Sequence, residues 1–260
     1  MKQKIVEGVC VSAAMLMMLG AGSCNNENHL DVQYEKYKFE TIAEVNADSV
    51  PNADDNTRYW QCEASGLLPV KIGEYNITAL RDTLMSMASV RYADGKIGPK
   101  LPSMFKQETL AMSDSIDARS EASNVLSIVL MSPEVMVWRS SNYTYPAGAA
   151  HGMYSHKYLN YCLADGKVIT LSDLFVPGSE ELLTSMIRDV LATRDDLMED
   201  VSDVNLSDNF RVTTDGVVFI YPLYSIAPYS SGEIEVPLDA MSLSPILTEH
   251  AARHLFDIED

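Results

Sequence analysis

Asn160-Tyr161-Cys162-Leu163-Ala164-Asp165-Gly166-Lys167-Val168-Ile169-Thr170-Leu171-Ser172-Asp173-Leu174-Phe175 is the stretch on which the fold of this chain turns. β-prone residues flank Asp165-Gly166, and Asp-Gly accepts the positive φ angles of a tight primed turn, so residues 158–163 and 168–171 read as a hairpin. The same device returns at residues 210–213 and 217–221, on either side of Asp215-Gly216. Between the hairpins Leu182, Leu183, Met186, Ile187, Val190 and Leu191 form one apolar stripe. Ser179 stands before it as a cap, and Glu180 and Glu181 suit the positive end of a helix dipole, so the spacing predicts a helix ending before Asp200. Ser172 to Phe175, with Pro177 and Gly178, is the turn that delivers this helix.

Upstream the signals are strands first and a helix second. Tyr37, Phe39, Thr41 and Ala43 alternate with polar neighbours from Tyr34 onward, and Trp60, Cys62 and Ala64 share one side of a second strand over residues 57–68. Residues 46–56 between them read as a loop. Gly73 closes the second strand. Asn76 then caps a helix to Val90, with Ile77, Leu80, Leu84 and Met87 at helical spacing and a sheet to cover. Gly98, Pro99 and Pro102 argue against regular structure until Met104, and a weaker helical pattern spans residues 105–120. Residues 123–138 fit two strands, or a strand and an edge segment, interrupted by Pro133, which removes a ladder donor. The expected class is α+β, with antiparallel hairpins covered by helices in two abutting modules that meet near residue 145.

The first 24 residues carry an address. Lys2 and Lys4 precede an apolar run from Val9 to Leu19, and Gly20, Ala21, Gly22 and Ser23 lead into Cys24. This is the layout of a secretory signal. It resembles a bacterial lipoprotein signal, with Ala21 where that signal usually has Leu, and the resemblance implies cleavage after residue 23 and acylation of Cys24. The run is shorter than the roughly 20 apolar residues of a membrane span. Residues 24–33 are polar and read as a tether, so the expected picture is an exported domain held to the cell envelope, on the periplasmic or surface face, through lipid alone.

Charge and cysteine usage narrow the partners. Lys and Arg total 19 against 37 Asp and Glu, for a formal charge of −18 over 260 residues. Such a surface repels nucleic acid and anionic headgroups and favours cationic partners or plain solubility. Cys10 lies in the signal and Cys24 is the lipid site, which leaves Cys62 and Cys162 either paired by a disulfide in an oxidising compartment or as two buried thiols. No CxxC and no Cys/His cluster argues for zinc, and no metal or cofactor is expected.

Two segments resemble a known family. Residues 160–175 are similar to the hairpin and Leu-Ser-Asp-Leu-Phe element of the C-terminal domain of RsiV-type anti-sigma factors. Asp215-Gly216-Val217-Val218-Phe219-Ile220-Tyr221, followed by Tyr224-Ser225-Ile226-Ala227-Pro228-Tyr229 and Gly232, is similar to that domain's closing strand and Ile-Ala-Pro-Tyr loop. The resemblance covers residues 145–240. Its Gly-Gly-Ala-His-Gly motif stands here as Gly148-Ala149-Ala150-His151-Gly152 after Tyr145, and Ala149 questions any close backbone approach made by the glycine it replaces. Gly66-Leu67-Leu68-Pro69-Val70 and the Asn76 helix resemble the domain named after the PdaC peptidoglycan deacetylase. In that enzyme the chemistry sits in a separate domain, so no deacetylase activity is implied. The resulting organisation is a signal over 1–23, a tether over 24–33, a PdaC-like module over 34–144 and an RsiV-like domain over 145–260.

Candidate chemistry is sparse. His151 and His156 are five residues apart, an odd offset that keeps them from sharing one face of a strand. No Gly-x-Ser-x-Gly elbow, P-loop or dinucleotide fingerprint is present. Asp195-Asp196 and Glu199-Asp200 read as a solvated charge run rather than a calcium loop. Tyrosines cluster instead, and Tyr145, His151, Tyr154, Tyr158, Tyr224 and Tyr229 are the candidate binding residues, since tyrosine offers rigid apolar area with a polar tip. Core and sheet-edge packing is the competing explanation for them.

The expected function is a non-enzymatic envelope module for a protein or glycan ligand. RsiV-type proteins bind lysozyme, so the resemblance implies lysozyme-like proteins or wall glycan as partners. An enzyme acting on wall polymer through His151, and a structural envelope protein, are the alternatives.

Overall fold

The structure is a computed structural model that describes residues 6–7, 31–45, 58–93, 95–99, 120–146 and 149–258. Its strands are β1 (Val6–Glu7), β2 (Val32–Val45), β3 (Arg58–Ile72), β4 (Val90–Ala93), β5 (Lys96–Pro99), β6 (Ser120–Met131), β7 (Val135–Tyr145), β8 (Met153–Cys162), β9 (Lys167–Ile169), β10 (Phe210–Val212), β11 (Gly216–Tyr221) and β12 (Ile234–Asp239). Its helices are α1 (Thr78–Met87), α2 (Leu171–Leu174), α3 (Glu180–Leu191), α4 (Ala240–Leu243) and α5 (Glu249–Leu255).

A seven-stranded sheet in the order β1-β2-β3-β6-β7-β8-β9 forms the body, beside the three-stranded sheet β10-β11-β12 and the hairpin β4-β5. The fold is therefore mixed, with several antiparallel pairings and few helices. The expected all-antiparallel arrangement is corrected at one place, where β3 and β6 run parallel from Trp60↔Ser120 to Gly66↔Leu126. A parallel neighbour needs a crossover rather than a tight turn, and α1 with the β4-β5 hairpin lies on that connection.

Alternation along β7 builds two cores from one strand. Val135 and Val137 belong to an apolar cluster with β10, β11, β12 and the α3 residues Leu183, Ile187 and Leu191. Met136 and Trp138 point the other way, into a cluster with Leu68, Ile72, Leu126 and the α1 residues Leu80 and Leu84. The boundary expected near residue 145 falls inside this sheet, because β7 and β8 pair from Val135↔Cys162 to Thr144↔Met153 across it. The cover also differs from expectation. α1 covers one core, but the other is closed largely by a second sheet, with α3 packed against β12.

Local signals were followed closely in most elements. The Asp-Gly hairpins form as β8-β9 and β10-β11, and Pro133 sits in the turn between β6 and β7. Asn76 Oδ1 accepts from the Thr78 N–H at 3.1 Å at the start of α1. Of the residues expected in the tether, Val32 and Gln33 pair in β2 and the Asp31 carboxylate accepts from Lys71 Nζ at 2.9 Å, while residues 24–30 lie outside the described residues. β3 reaches Ile72 rather than stopping at residue 68. Lys96–Pro99 is a strand where none was expected, because Gly95 at φ +73 closes a hairpin and Pro99 takes its outermost pair with Val90.

Ser179 stands at the N-cap position of α3, but its side chain makes no cap hydrogen bond. Its Oγ donates backward to the Val176 carbonyl at 2.7 Å, and the helix ends at Leu191. Ser172 to Leu174 lie in a helical turn held by Asp173, whose carboxylate accepts from Thr170 N at 2.8 Å, Thr170 Oγ1 at 2.6 Å and Lys167 Nζ at 2.9 Å. Partial burial works against this carboxylate, but the Thr170 hydroxyl, the Lys167 ammonium and the Thr170 N–H hold its pKa below the ordinary value. A lowered native pKa stabilises the fold above the unfolded-state pKa, and that contribution is lost as pH falls through the native one. Asp173→Asn is expected to cost about 1 kcal/mol near neutral pH, the size of a cap. The loss should shrink toward zero in strong acid, as urea denaturation at stepped pH measures.

Cys62 and Cys162 are separate buried thiols, not a disulfide. Burial, with the neighbouring Glu63 charge, pushes Cys62 up to about 11. Cys10, Cys24 and the helical pattern expected over 105–120, up to residue 119, lie outside the described residues, while Val6 and Glu7 pair with Ile42 and Thr41. Among the described residues no helix is long and apolar enough to cross a membrane.

Candidate functional site

The site grows from the way β8 is held. Only its last three residues pair with β9, so the outer part of the strand needs other partners for its backbone. Two asparagines supply them. Asn209 Oδ1 accepts from Tyr158 N at 3.1 Å, and its Nδ2 donates to the His156 carbonyl at 2.7 Å. In the reverse direction Asn160 Nδ2 donates to the Phe210 carbonyl at 2.9 Å and its Oδ1 accepts from Val212 N at 2.8 Å. These amides stand in for strand pairing between β8 and β10 and lock the small sheet to the large one.

This lock brings the segment before β8 against the loop after β11. The His151 ring stacks on Tyr229 with centroids 4.0 Å apart, and Tyr224 OH meets His151 Nε2 at 3.2 Å. His151 Nδ1 lies 3.0 Å from the Gly152 carbonyl, which also accepts from Tyr229 OH at 2.9 Å. Both contacts of the ring are met by the tautomer that donates from Nδ1 and accepts from the tyrosine hydroxyl at Nε2. Tyr154 extends the group edge-on to Tyr229 at 6.4 Å and borders His156 at 6.0 Å.

Backbone geometry serves this cluster. Tyr224 has φ +62, a left-handed conformation that costs a bulky residue on the order of 1–3 kcal/mol, yet its hydroxyl is held at the edge of the His151 ring and the side chain is left 48% exposed. Gly232, at φ +72, ends the turn after Tyr229, and a Cβ there would lie 3.0 Å from Tyr154 OH. A Cβ on Gly152 would overlap the Tyr143 ring, so the close approach in this motif is made at Gly152. Ala149 needs no such freedom. Its N–H donates to Pro146 O and its carbonyl accepts from Tyr145 OH, each at 3.0 Å.

Below the aromatic group lies a histidine–carboxylate contact that the odd His151–His156 offset did not announce. Glu233 Oε2 is 2.5 Å from His156 Nδ1, and Oε1 accepts from the His156 N–H at 2.9 Å. The carboxylate is 8% exposed and so is committed to this one residue. The two histidines do not converge as a ligand pair; each is held by a different partner on the 222–233 segment.

Of the expected binding residues, His151, Tyr154, Tyr224 and Tyr229 come together. Tyr145 braces the Ala149 turn, and Tyr158 packs with the main core under the Arg211 guanidinium, 5.8 Å from its ring centre. Glu233 and Asn209 were missed, since a lone acid and a lone amide carry no spacing signal. A cavity of about 220 Å³ lined by Asn142, Thr144, Met153, Tyr154, Ser155, Pro222 and Leu223 shares Tyr154 with the cluster. A larger one, about 300 Å³, lies by Phe175 and Leu183, on residues that the aromatic cluster does not use.

Known proteins share part of this sequence and its fold. Residues 172–240 match the family described as Protein of unknown function (DUF3298). The structure is similar to a member of the DUF3298 family from Bacteroides fragilis NCTC 9343, at 19% identity and a TM-score of 0.61 over 86% of this chain and 97% of that one. It is also similar to a DUF3298 family protein from Pseudomonas aeruginosa PAO1, at 19% identity and a TM-score of 0.56 over 87% of this chain and 97% of that one. No curated protein matches the sequence. The chain thus carries a DUF3298 domain at residues 172–240, set in a fold that it shares with DUF3298 family proteins.

Proposed function

We propose that this protein is an exported, lipid-anchored envelope module that binds a partner through the His151–Tyr224–Tyr229 cluster without turning it over. The observation that carries this reading is Tyr224, a half-exposed aromatic ring whose hydroxyl meets His151 Nε2 from a backbone angle that a bulky residue rarely adopts. Strain of this kind persists where surrounding contacts over-determine it, and it marks binding and switch regions. A layered group of aromatic rings with polar tips suits the face of a sugar or the side chains of a protein surface. The charge of −18 favours a basic protein of lysozyme type, drawn in by electrostatic steering. Wall glycan is the second ligand class. The RsiV-type and PdaC-type assignments of the two halves, and the signal ending at Cys24, belong to the same proposal.

Tyr224→Gly tests it. Glycine removes the ring and relaxes the backbone, so stability should hold or rise by about 1 kcal/mol. Lysozyme capture in low salt should fall roughly tenfold, a loss of one good aromatic contact. Undiminished capture by the glycine variant, or no capture of lysozyme or soluble peptidoglycan fragments by the unaltered protein, would count against the reading. The alternative, an enzyme centred on His151, is tested at the same ring, whose two nitrogens lie 3.0 Å from the Gly152 carbonyl and 3.2 Å from Tyr224 OH. His151→Ala should change retention of the ligand and not create or abolish turnover of wall polymer.

A further inference from the structure

Away from the aromatic cluster, the turn between β8 and β9 meets α5 with three different donor types. Cys162 Sγ, an Asp165 carboxylate oxygen and a His250 ring nitrogen all lie within 4.8 Å of one another. His250 Nε2 is 3.1 Å from Asp165 Oδ2. The thiol is the floor of the group, at 2% exposure for Cys162, while the Asp165 and His250 side chains are 33% and 43% exposed and leave a route for a small ion. His254 stands one helical turn beyond His250, with ring centroids 4.8 Å apart.

The turn that carries Asp165 is braced from outside, with Tyr75 OH donating to the Ala164 carbonyl at 2.6 Å and the Tyr75 ring filling the space beside Gly166. Lys167 is the competing cation, but it sits 3.8 Å from Asp165 and is drawn to Asp173 at 2.9 Å. Sulfur, imidazole and carboxylate together form a donor set for zinc rather than for calcium or magnesium, which take oxygen alone.

We propose that Cys162, Asp165 and His250 bind a zinc-class divalent cation that staples α5 to the β8-β9 turn, with water in the fourth tetrahedral position. On binding, the sulfur exchanges its proton for the metal and that proton passes to solvent, while His250 coordinates as the neutral ring. Metal affinity therefore weakens as pH falls and these groups reprotonate. Burial that disfavours a free thiolate does not oppose this, because a coordinating thiol is deprotonated by the ion itself.

Cobalt(II) added to the full chain is the probe. One equivalent should give the visible bands of a tetrahedral ion and a near-ultraviolet sulfur-to-cobalt charge-transfer band, both erased by added zinc. Cys162→Ser should abolish the charge-transfer band and Cys62→Ser should leave it unchanged. His250→Gln, at an exposed position, should weaken affinity by more than about 100-fold, since losing a direct ligand exceeds the roughly 10- to 100-fold loss of an outer partner of a ligand. Zinc should also raise the thermal midpoint of the unaltered chain and not that of His250→Gln. Absence of the bands, their survival in Cys162→Ser, or equal affinity in His250→Gln overturns the proposal.

Discussion

Trp138→Ala is expected to lower the unfolding free energy by about 3–5 kcal/mol, the range for deleting a large buried aromatic. Trp138 is 0% exposed, stands between Ile128 of β6 and Leu159 of β8, and meets Tyr161 edge-to-face at 6.3 Å. The loss is not confined to the α1 side. β7 also carries Val135 and Val137 into the opposite core, so a strand loosened from one face is loosened for both. The two cores should unfold together. Far-ultraviolet circular dichroism and near-ultraviolet tyrosine signals should show one transition at a lower midpoint in the variant. A split transition, with the β10–β12 region melting where the unaltered protein does, would instead describe two modules that merely abut.

Asn160→Leu is the second change of large effect. The side chain is buried and nearly isosteric with leucine, so little packing volume is lost. What disappears is the pair of hydrogen bonds to Phe210 O and Val212 N. Two buried backbone groups without partners cost about 1–3 kcal/mol each, for a total on the order of 2–6 kcal/mol. The damage should concentrate where the sheets meet. Amide exchange at Val212 should rise far more than at Val218 in the centre of β11, and ligand capture by the His151–Tyr224 group should weaken because β8 and the 222–233 loop lose their common frame. Equal exchange at the two positions would mean that Asn160 does not hold this joint.

The legible part of the fold was local. Asp165-Gly166 and Asp215-Gly216 closed hairpins, Leu183, Ile187 and Leu191 of the expected stripe became the buried face of α3 while Leu182 stayed exposed, and Pro133 fell in a turn. Each of these depends on the conformational preference of a few adjacent residues. The misreadings have a different origin. Ser179 is a natural cap by type, but its hydroxyl turns to the Val176 carbonyl, and Lys96–Pro99 pairs in spite of Gly98 and Pro99 because β4 is there to receive it. The candidate site was half legible. Tyrosines crowding around His151 and around the Ile226-Ala227-Pro228 loop marked both sides of it, whereas the Glu233 carboxylate beneath His156 and the Asn160 and Asn209 amides carry no sequence pattern.

What the chain by itself determined is the type of its most strongly patterned segments and a strongly acidic composition, because periodicity, turn chemistry and charge are properties of neighbours in sequence. The tertiary structure alone decided that β3 and β6 lie parallel, that one strand feeds two cores, and that a turn near residue 165 faces a helix near residue 250. Those outcomes depend on which surfaces bury one another. Burial is a non-directional driving force that leaves no period in the sequence to announce its partner.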